Sequence, residues 1–106
     1  GLGDVYKRQF MCSLINLNSD NYECLEVSNQ IYNHFNKKMI DVLFDDTKES
    51  IGSKLATADL IGFPYQVIIG PKGIKNDNFE IKIRKTNKII NLSLNEIFNF
   101  INENMV

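Results

Sequence analysis

Residues 44–70 read FDDTKESIGSKLATADLIGFPYQVIIG, and the fold turns on how this stretch divides. It opens on the end of an apolar run and passes an acidic pair, Asp45 and Asp46. Ser50 or Gly52 then opens a helix that runs through about Ile61. Gly62 suits a left-handed cap, and Pro64 prevents continuation. Residues 65–69 (YQVII) have strand length and strand composition. A strand, a crossover helix and a second strand in this order are the mark of a parallel α/β unit.

Upstream, residues 10–17 (FMCSLINL) form an apolar run without alternation, as expected of a strand buried on both faces. Asp20 with Glu23 three positions on is a helix start. Cys24, Val27, Ile31 and Phe35 recur near helical spacing, and Lys37 and Lys38 suit the negative end of the helix dipole. Residues 39–44 (MIDVLF) give another strand.

Downstream the pattern changes. Residues 70–73 (GPKG) and 76–78 (NDN) read as turns. In residues 79–84, Phe79, Ile81 and Ile83 alternate with Glu80, Lys82 and Arg84, which predicts a half-exposed antiparallel strand. Asn87 can take a positive φ in the turn that follows, and residues 89–92 return as a fifth strand. Ser93 and Glu96 make a capping box, with Leu92 and Ile97 at its staple positions. Leu94, Ile97, Phe98, Ile101 and Met105 complete a helical face. The expected order is strand-helix-strand-helix-strand-strand-strand-helix.

The 106 residues suit one small domain, and a 43% hydrophobic content supports a core without a metal or disulfide staple. No apolar run approaches the roughly 18 residues of a membrane span, so no membrane partner is expected. No signal-peptide pattern is present. Residues 1–9 (GLGDVYKRQ) lack an initiating Met and any amphipathic period. They read as a non-native leader, which leaves residues 10–106 as the domain and the chain as a fragment of something longer.

Cys12, Cys24 and His34 are too few for a zinc site or a Cys-His nucleophile, and the two thiols are expected buried and reduced. The net charge of −1 argues against a bulk polyelectrolyte role, yet residues 71–90 carry Lys72, Lys75, Lys82, Arg84, Lys85 and Lys88 against Asp77 and Glu80. A local basic face can bind phosphates whatever the total charge.

Several groupings carry candidate chemistry. Asp45 and Asp46 with Glu49 resemble an acidic cation site, so a small α/β domain holding a cation or small ligand at this turn is one reading. Gly52-Ser53-Lys54 lacks the rest of a phosphate loop, and Pro71 removes an amide that residues 70–73 would need for one. Asn16, Asn18, the acidic turn and the start of the next helix all fall just beyond strand C-termini, the edge where open α/β sheets bind ligands. Lys54 opposes its helix dipole, at a cost of about 0.3–1 kcal/mol, which hints at a use other than helix stability. Glu80, Lys82 and Arg84 share one strand face, where carboxylate, ammonium and guanidinium can read exposed bases of single-stranded RNA. Phe63, Tyr65 and Phe79 can supply stacking or fill the core.

Asp45-Asp46, Gly52-x-Lys54, Asp59-Leu60-Ile61-Gly62-x-Pro64, Gly70 and Glu80-Ile81-Lys82-x-Arg84, led by residues 14–18 (LINLN), closely resemble the C-terminal anticodon-binding domain of bacterial proline–tRNA ligases. The match covers residues 10–106. The resemblance implies a mixed five-stranded sheet flanked by three helices, and binding of the anticodon stem-loop of proline tRNA. It points to Asn16, Asp45, Asp46, Lys54, Glu80, Lys82 and Arg84 as the anticodon-binding residues. Thr47 departs from the family, many of whose members carry Arg there. Related threonine, histidine and glycine ligases share the fold, so a module of one of those, or a stand-alone accessory protein, is the alternative. The resemblance further implies a cytoplasmic, homodimeric parent whose catalytic domain uses ATP and Mg. The present chain is expected to carry no cofactor and to be inactive alone.

Overall fold

A computed structural model describes residues 11–45, 48 and 50–106, with the backbone alone for Ile51. The leader expected over residues 1–9 lies outside the described residues, as do Phe10, Asp46, Thr47 and Glu49.

In order, the elements are β1 (Cys12–Asn16), α1 (Tyr22–Lys37), β2 (Val42–Asp45), α2 (Ile51–Ile61), β3 (Tyr65–Ile69), α3 (Pro71–Asn76), β4 (Phe79–Ile83), β5 (Lys88–Leu92) and α4 (Leu94–Asn104). The strands form one mixed sheet in the order β2-β1-β3-β4-β5. β1 runs parallel to β2 and β3, and β4 is antiparallel to both β3 and β5. The expected α/β class and five-stranded mixed sheet are therefore present, and β1 is buried along its whole length.

The sheet's two faces are covered unequally. On one face, Leu14, Val67, Ile69 and Ile81 pack with Ile31 and Phe35 of α1 and Ile97 and Ile101 of α4. Each such side chain taken fully out of water stabilises by about 1.5–3 kcal/mol. On the other face, α2 lies over a smaller cluster of Ile15, Ala58 and Phe63, with Leu43, Leu55 and Ile68 around it. α2 does not cover the outer part of this face, where Glu80, Ile89 and Asn91 stay exposed.

The capping assignments on α2 and α4 hold. Ser50 Oγ accepts from the Ser53 amide, Gly62 takes φ 78° and ψ 47°, and Ser93 and Glu96 form the capping box in both directions. Asn87 has φ 53°, as expected of the β4–β5 turn.

Three expectations are corrected. Among the described residues the helices number four, since residues 71–76 form α3 where turns were expected. Pro71 lacks the N–H that a first helical residue leaves unbonded, and six residues are too few to print a period. Gly73 permits this helix: a Cβ there would lie 2.8 Å from the Asn78 carbonyl oxygen and 2.9 Å from the Phe79 ring. Second, α1 is capped by Asn21 and not Asp20, because Asn21 Oδ1 accepts from the Cys24 amide at 3.0 Å.

Third, β2 begins at Val42 and not residue 39. α1 ends in a Schellman turn, with the Met39 amide donating to Asn36 O and the Ile40 amide to Phe35 O. Met39 holds the left-handed position at φ 58° and is 92% exposed. Ile40 and Phe35, the pair that such a turn brings together, are both buried.

Candidate nucleic-acid interface

The alternation of β4 decides which side chains face outward. Phe79 and Ile81 are buried, Glu80 is exposed and Lys82 is half-buried. Register places Ile68 opposite Glu80 and Gln66 opposite Lys82 on β3, and Asn91 opposite Glu80 and Ile89 opposite Lys82 on β5. Because α2 covers only the neighbouring strands, these residues make a partly open platform of mixed polarity. Carboxylate, ammonium and amide groups alternate there with apolar side chains.

Two of its charged groups are joined. Lys82 Nζ donates to Asp59 Oδ1 at 2.7 Å, and Gln66 Nε2 donates to the same oxygen at 3.1 Å. The hydrogen bond from Lys82, then that from Gln66, holds the Asp59 carboxyl below its usual range. Asp59 and Gln66 were not among the residues predicted from sequence. One signal was available: an acid in the last turn of α2 faces the negative end of the helix dipole.

Glu80 also borders a cleft of about 300 Å³ beside the C-terminal end of β3, with Lys72, Asn76, Asn78 and Asn91 around it and Leu17 and Ile68 as apolar floor. Leu17 packs closely on Gly70 at the edge of the cleft, since a Cβ there would come within 3.2 Å of Leu17 Cδ1. Amides that both donate and accept, beside a carboxylate and an ammonium, suit the edge of a nucleobase. Arg84 is exposed just past the other end of β4, its amide donating to Pro64 O. Its side chain borders a separate, larger cavity of about 610 Å³ with Met11, Tyr65 and Lys85.

A second group of predicted residues meets where β1 and β2 end. Asn16 is fully buried, and its Oδ1 accepts from the Asn18 amide at 3.1 Å. Asn18 Oδ1 accepts in turn from the Asp20 amide. Lys54, only 1% exposed, crosses from α2 and donates to the Asn16 carbonyl at 2.7 Å. Its ammonium lies 3.9 Å from Asp45, which pairs with Ile15 in the sheet. Asn16 Nδ2 is buried without a hydrogen-bond partner among the described residues.

The structure thus gathers Asn16, Asp45 and Lys54 at one point and places Glu80 and Lys82 on β4, with Arg84 just past its end beside a separate cavity. Asp46 lies outside the described residues. So does Glu49, which with Asp45 and Asp46 would make the acidic turn. Among the described residues, no three His, Cys, Asp or Glu side chains lie close enough to hold a metal ion together.

The aromatics divide toward the core. Phe63 and Phe79 are buried, and Tyr65 packs edge-on against Phe100 at 5.6 Å. Cys12 and Cys24 are buried free thiols. Burial pushes the Cys12 thiol far up; burial and then the charge of Glu23 raise that of Cys24. Among the described residues, no helix is long and apolar enough to cross a membrane.

Comparison with known proteins adds to this geometry. The family model described as "Anticodon binding domain" matches residues 11–104. The chain is 49% identical over 87 residues to a proline–tRNA ligase of Rickettsia bellii, an alignment covering 82% of this chain and 20% of that protein. It is 45% identical over 92 residues to the corresponding ligase of Rickettsia akari, covering 87% and 22%. The chain therefore spans about a fifth of the length of these curated relatives. Among solved structures, a prolyl-tRNA synthetase from Cryptosporidium parvum, crystallised with L-proline and AMP, matches 89% of this chain and 20% of its own, with a TM-score of 0.77 at 16% identity. That likeness concerns the fold.

Proposed function

We propose that this chain, which belongs to the anticodon binding domain family, recognises the anticodon stem-loop of proline tRNA as the C-terminal part of a proline–tRNA ligase. The observation that carries the recognition reading is the half-face of the sheet that the described residues leave open, where β4 presents Glu80 and Lys82 outward. The choice of proline is supported by the relatives named above.

In this reading the groups divide by burial. Glu80, Lys82 and Arg84 meet the RNA: the carboxylate accepts from an exocyclic amine, and the cations donate to base or phosphate oxygens. Asn16, Asp45 and Lys54 hold the ends of β1 and β2 in the shape that receives the loop. The mechanism is placement. By gripping the anticodon, the domain commits the correct tRNA to a catalytic domain elsewhere in the same parent chain. That domain would carry the ATP and Mg chemistry, and the parent would act as a cytoplasmic homodimer. The present chain would bind without aminoacylating.

Arg84→Ala should weaken binding of proline-tRNA anticodon stem-loops by roughly 1–3 kcal/mol if the guanidinium reads a base. Fluorescence anisotropy with proline and scrambled anticodons measures this. Wild type and Arg84→Ala binding both RNAs equally well would overturn the assignment.

A further inference from the structure

We propose that Asp59 is a positioning residue for recognition: braced by Gln66, its carboxylate fixes the Lys82 ammonium on the open sheet face, so that Lys82 acts as a directed donor to a base and not as a mobile counterion to phosphate. This deepens the anticodon-recognition reading and rests on it.

Four observations carry the inference. Asp59 sits in the last turn of α2, where a negative charge works against the helix; its placement needs a reason outside helix stability. One oxygen, Oδ1, accepts from both Lys82 Nζ at 2.7 Å and Gln66 Nε2 at 3.1 Å. Gln66 is itself 4% exposed and lies directly across the strands from Lys82, so the sheet backs the brace. The pair is open to solvent, with side chains 27% and 51% exposed for Lys82 and Asp59. An exposed ion pair adds little to folding, whereas a lysine held in place gives up its rotamer freedom on folding and not on binding.

The charge arithmetic points the same way. Attraction to phosphate is independent of sequence and grows with each available cation. Asp59 neutralises one cation on the platform while leaving its N–H groups able to donate. Selective contact is kept, and indiscriminate attraction is lowered.

The test uses the 106-residue chain as wild type, Asp59→Asn, Lys82→Met and the double variant. Each is titrated with proline and scrambled anticodon stem-loop RNA over a range of salt. Asp59→Asn should lower the preference for the proline loop by about tenfold, the loss of one charge-assisted contact. It should also steepen the salt dependence by about 0.7 in the log–log slope, one more phosphate neutralised. With Lys82→Met already present, Asp59→Asn should change neither quantity, and Asp59→Glu should restore the preference.

An unchanged preference and slope in Asp59→Asn, or an equal loss with and without Lys82, would overturn the inference while leaving the recognition reading intact. A wild type without preference would overturn both. Should Asp59→Asn fail to fold, hydrogen exchange of the lysine ammonium groups in the wild type decides. Lys82 should exchange more slowly than the exposed Lys72 and Lys75, and equal rates would refute the clamp.

Discussion

Lys54→Met separates the charge of Lys54 from its bulk. Met keeps most of the aliphatic stem that fills the space under α2, so the substitution removes chiefly the ammonium. The Nζ contact to the Asn16 carbonyl at 2.7 Å is a buried, charge-assisted hydrogen bond, worth about 1.5–3 kcal/mol. Asp45, at 3.9 Å and 25% exposed, adds less than about 1 kcal/mol. Against these, removing a cation from the first turn of α2 relieves about 0.3–1 kcal/mol of dipole repulsion. The net is a destabilisation of about 2 kcal/mol.

For a domain of this size, 2 kcal/mol lowers Tm by about 10 °C. Urea unfolding followed by far-UV circular dichroism measures the change, with an unaltered m-value confirming that the same surface is exposed. A Lys54→Met chain within about 0.5 kcal/mol of wild type, the range of ordinary surface substitutions, would refute the reasoning. The β1 terminus would then be held without the lysine.

Two further outcomes are expected. Met39→Gly should stabilise the chain by about 0.5–1 kcal/mol, because the left-handed backbone at φ 58° penalises a residue with a Cβ and the exposed side chain contributes little packing; equilibrium unfolding checks the sign. Asp59 gives a pH signature. Its folded pKa is depressed below the ordinary 3.8, so its contribution is present above that value and is lost as pH falls through the folded pKa. The stability gap between wild type and Asp59→Asn, measured by urea unfolding from pH 6 downward, should close in strong acid, and a gap constant with pH would refute the pairing.

What the sequence disclosed about the fold depended on how far each signal extended. The mainly apolar run of β1, the Gly62–Pro64 stop after α2 and the alternation in β4 each span several residues under one physical rule, and each reappears in the structure. α3 left no such trace: its start is a proline between glycines, which is also what a turn looks like. The end of α1 was equally hidden, because a left-handed Met at position 39 breaks the expectation that glycine marks such a cap.

The candidate site divided in the same manner. Glu80 and Lys82 were legible because strand period puts them on one side; Arg84, expected on the same strand, falls past its end. The ties between Lys54 and Asn16, and between Asp59 and Lys82, join residues 38 and 23 positions apart. No local pattern connects them; they exist only once the crossover helix is laid on the sheet.

β4 also constrains how such a domain can change over generations. Its alternate positions answer to separate demands: Phe79 and Ile81 to the packed interior, Glu80 to whatever approaches from solvent. Substitutions at the outward positions away from the Asp59 pair fall within about 0.5 kcal/mol of neutral for folding, so the reading surface can drift or be retuned while the scaffold is retained. A single inserted residue has no such freedom. By shifting the strand one place it would exchange the two sets, exposing the phenylalanine and burying the charges.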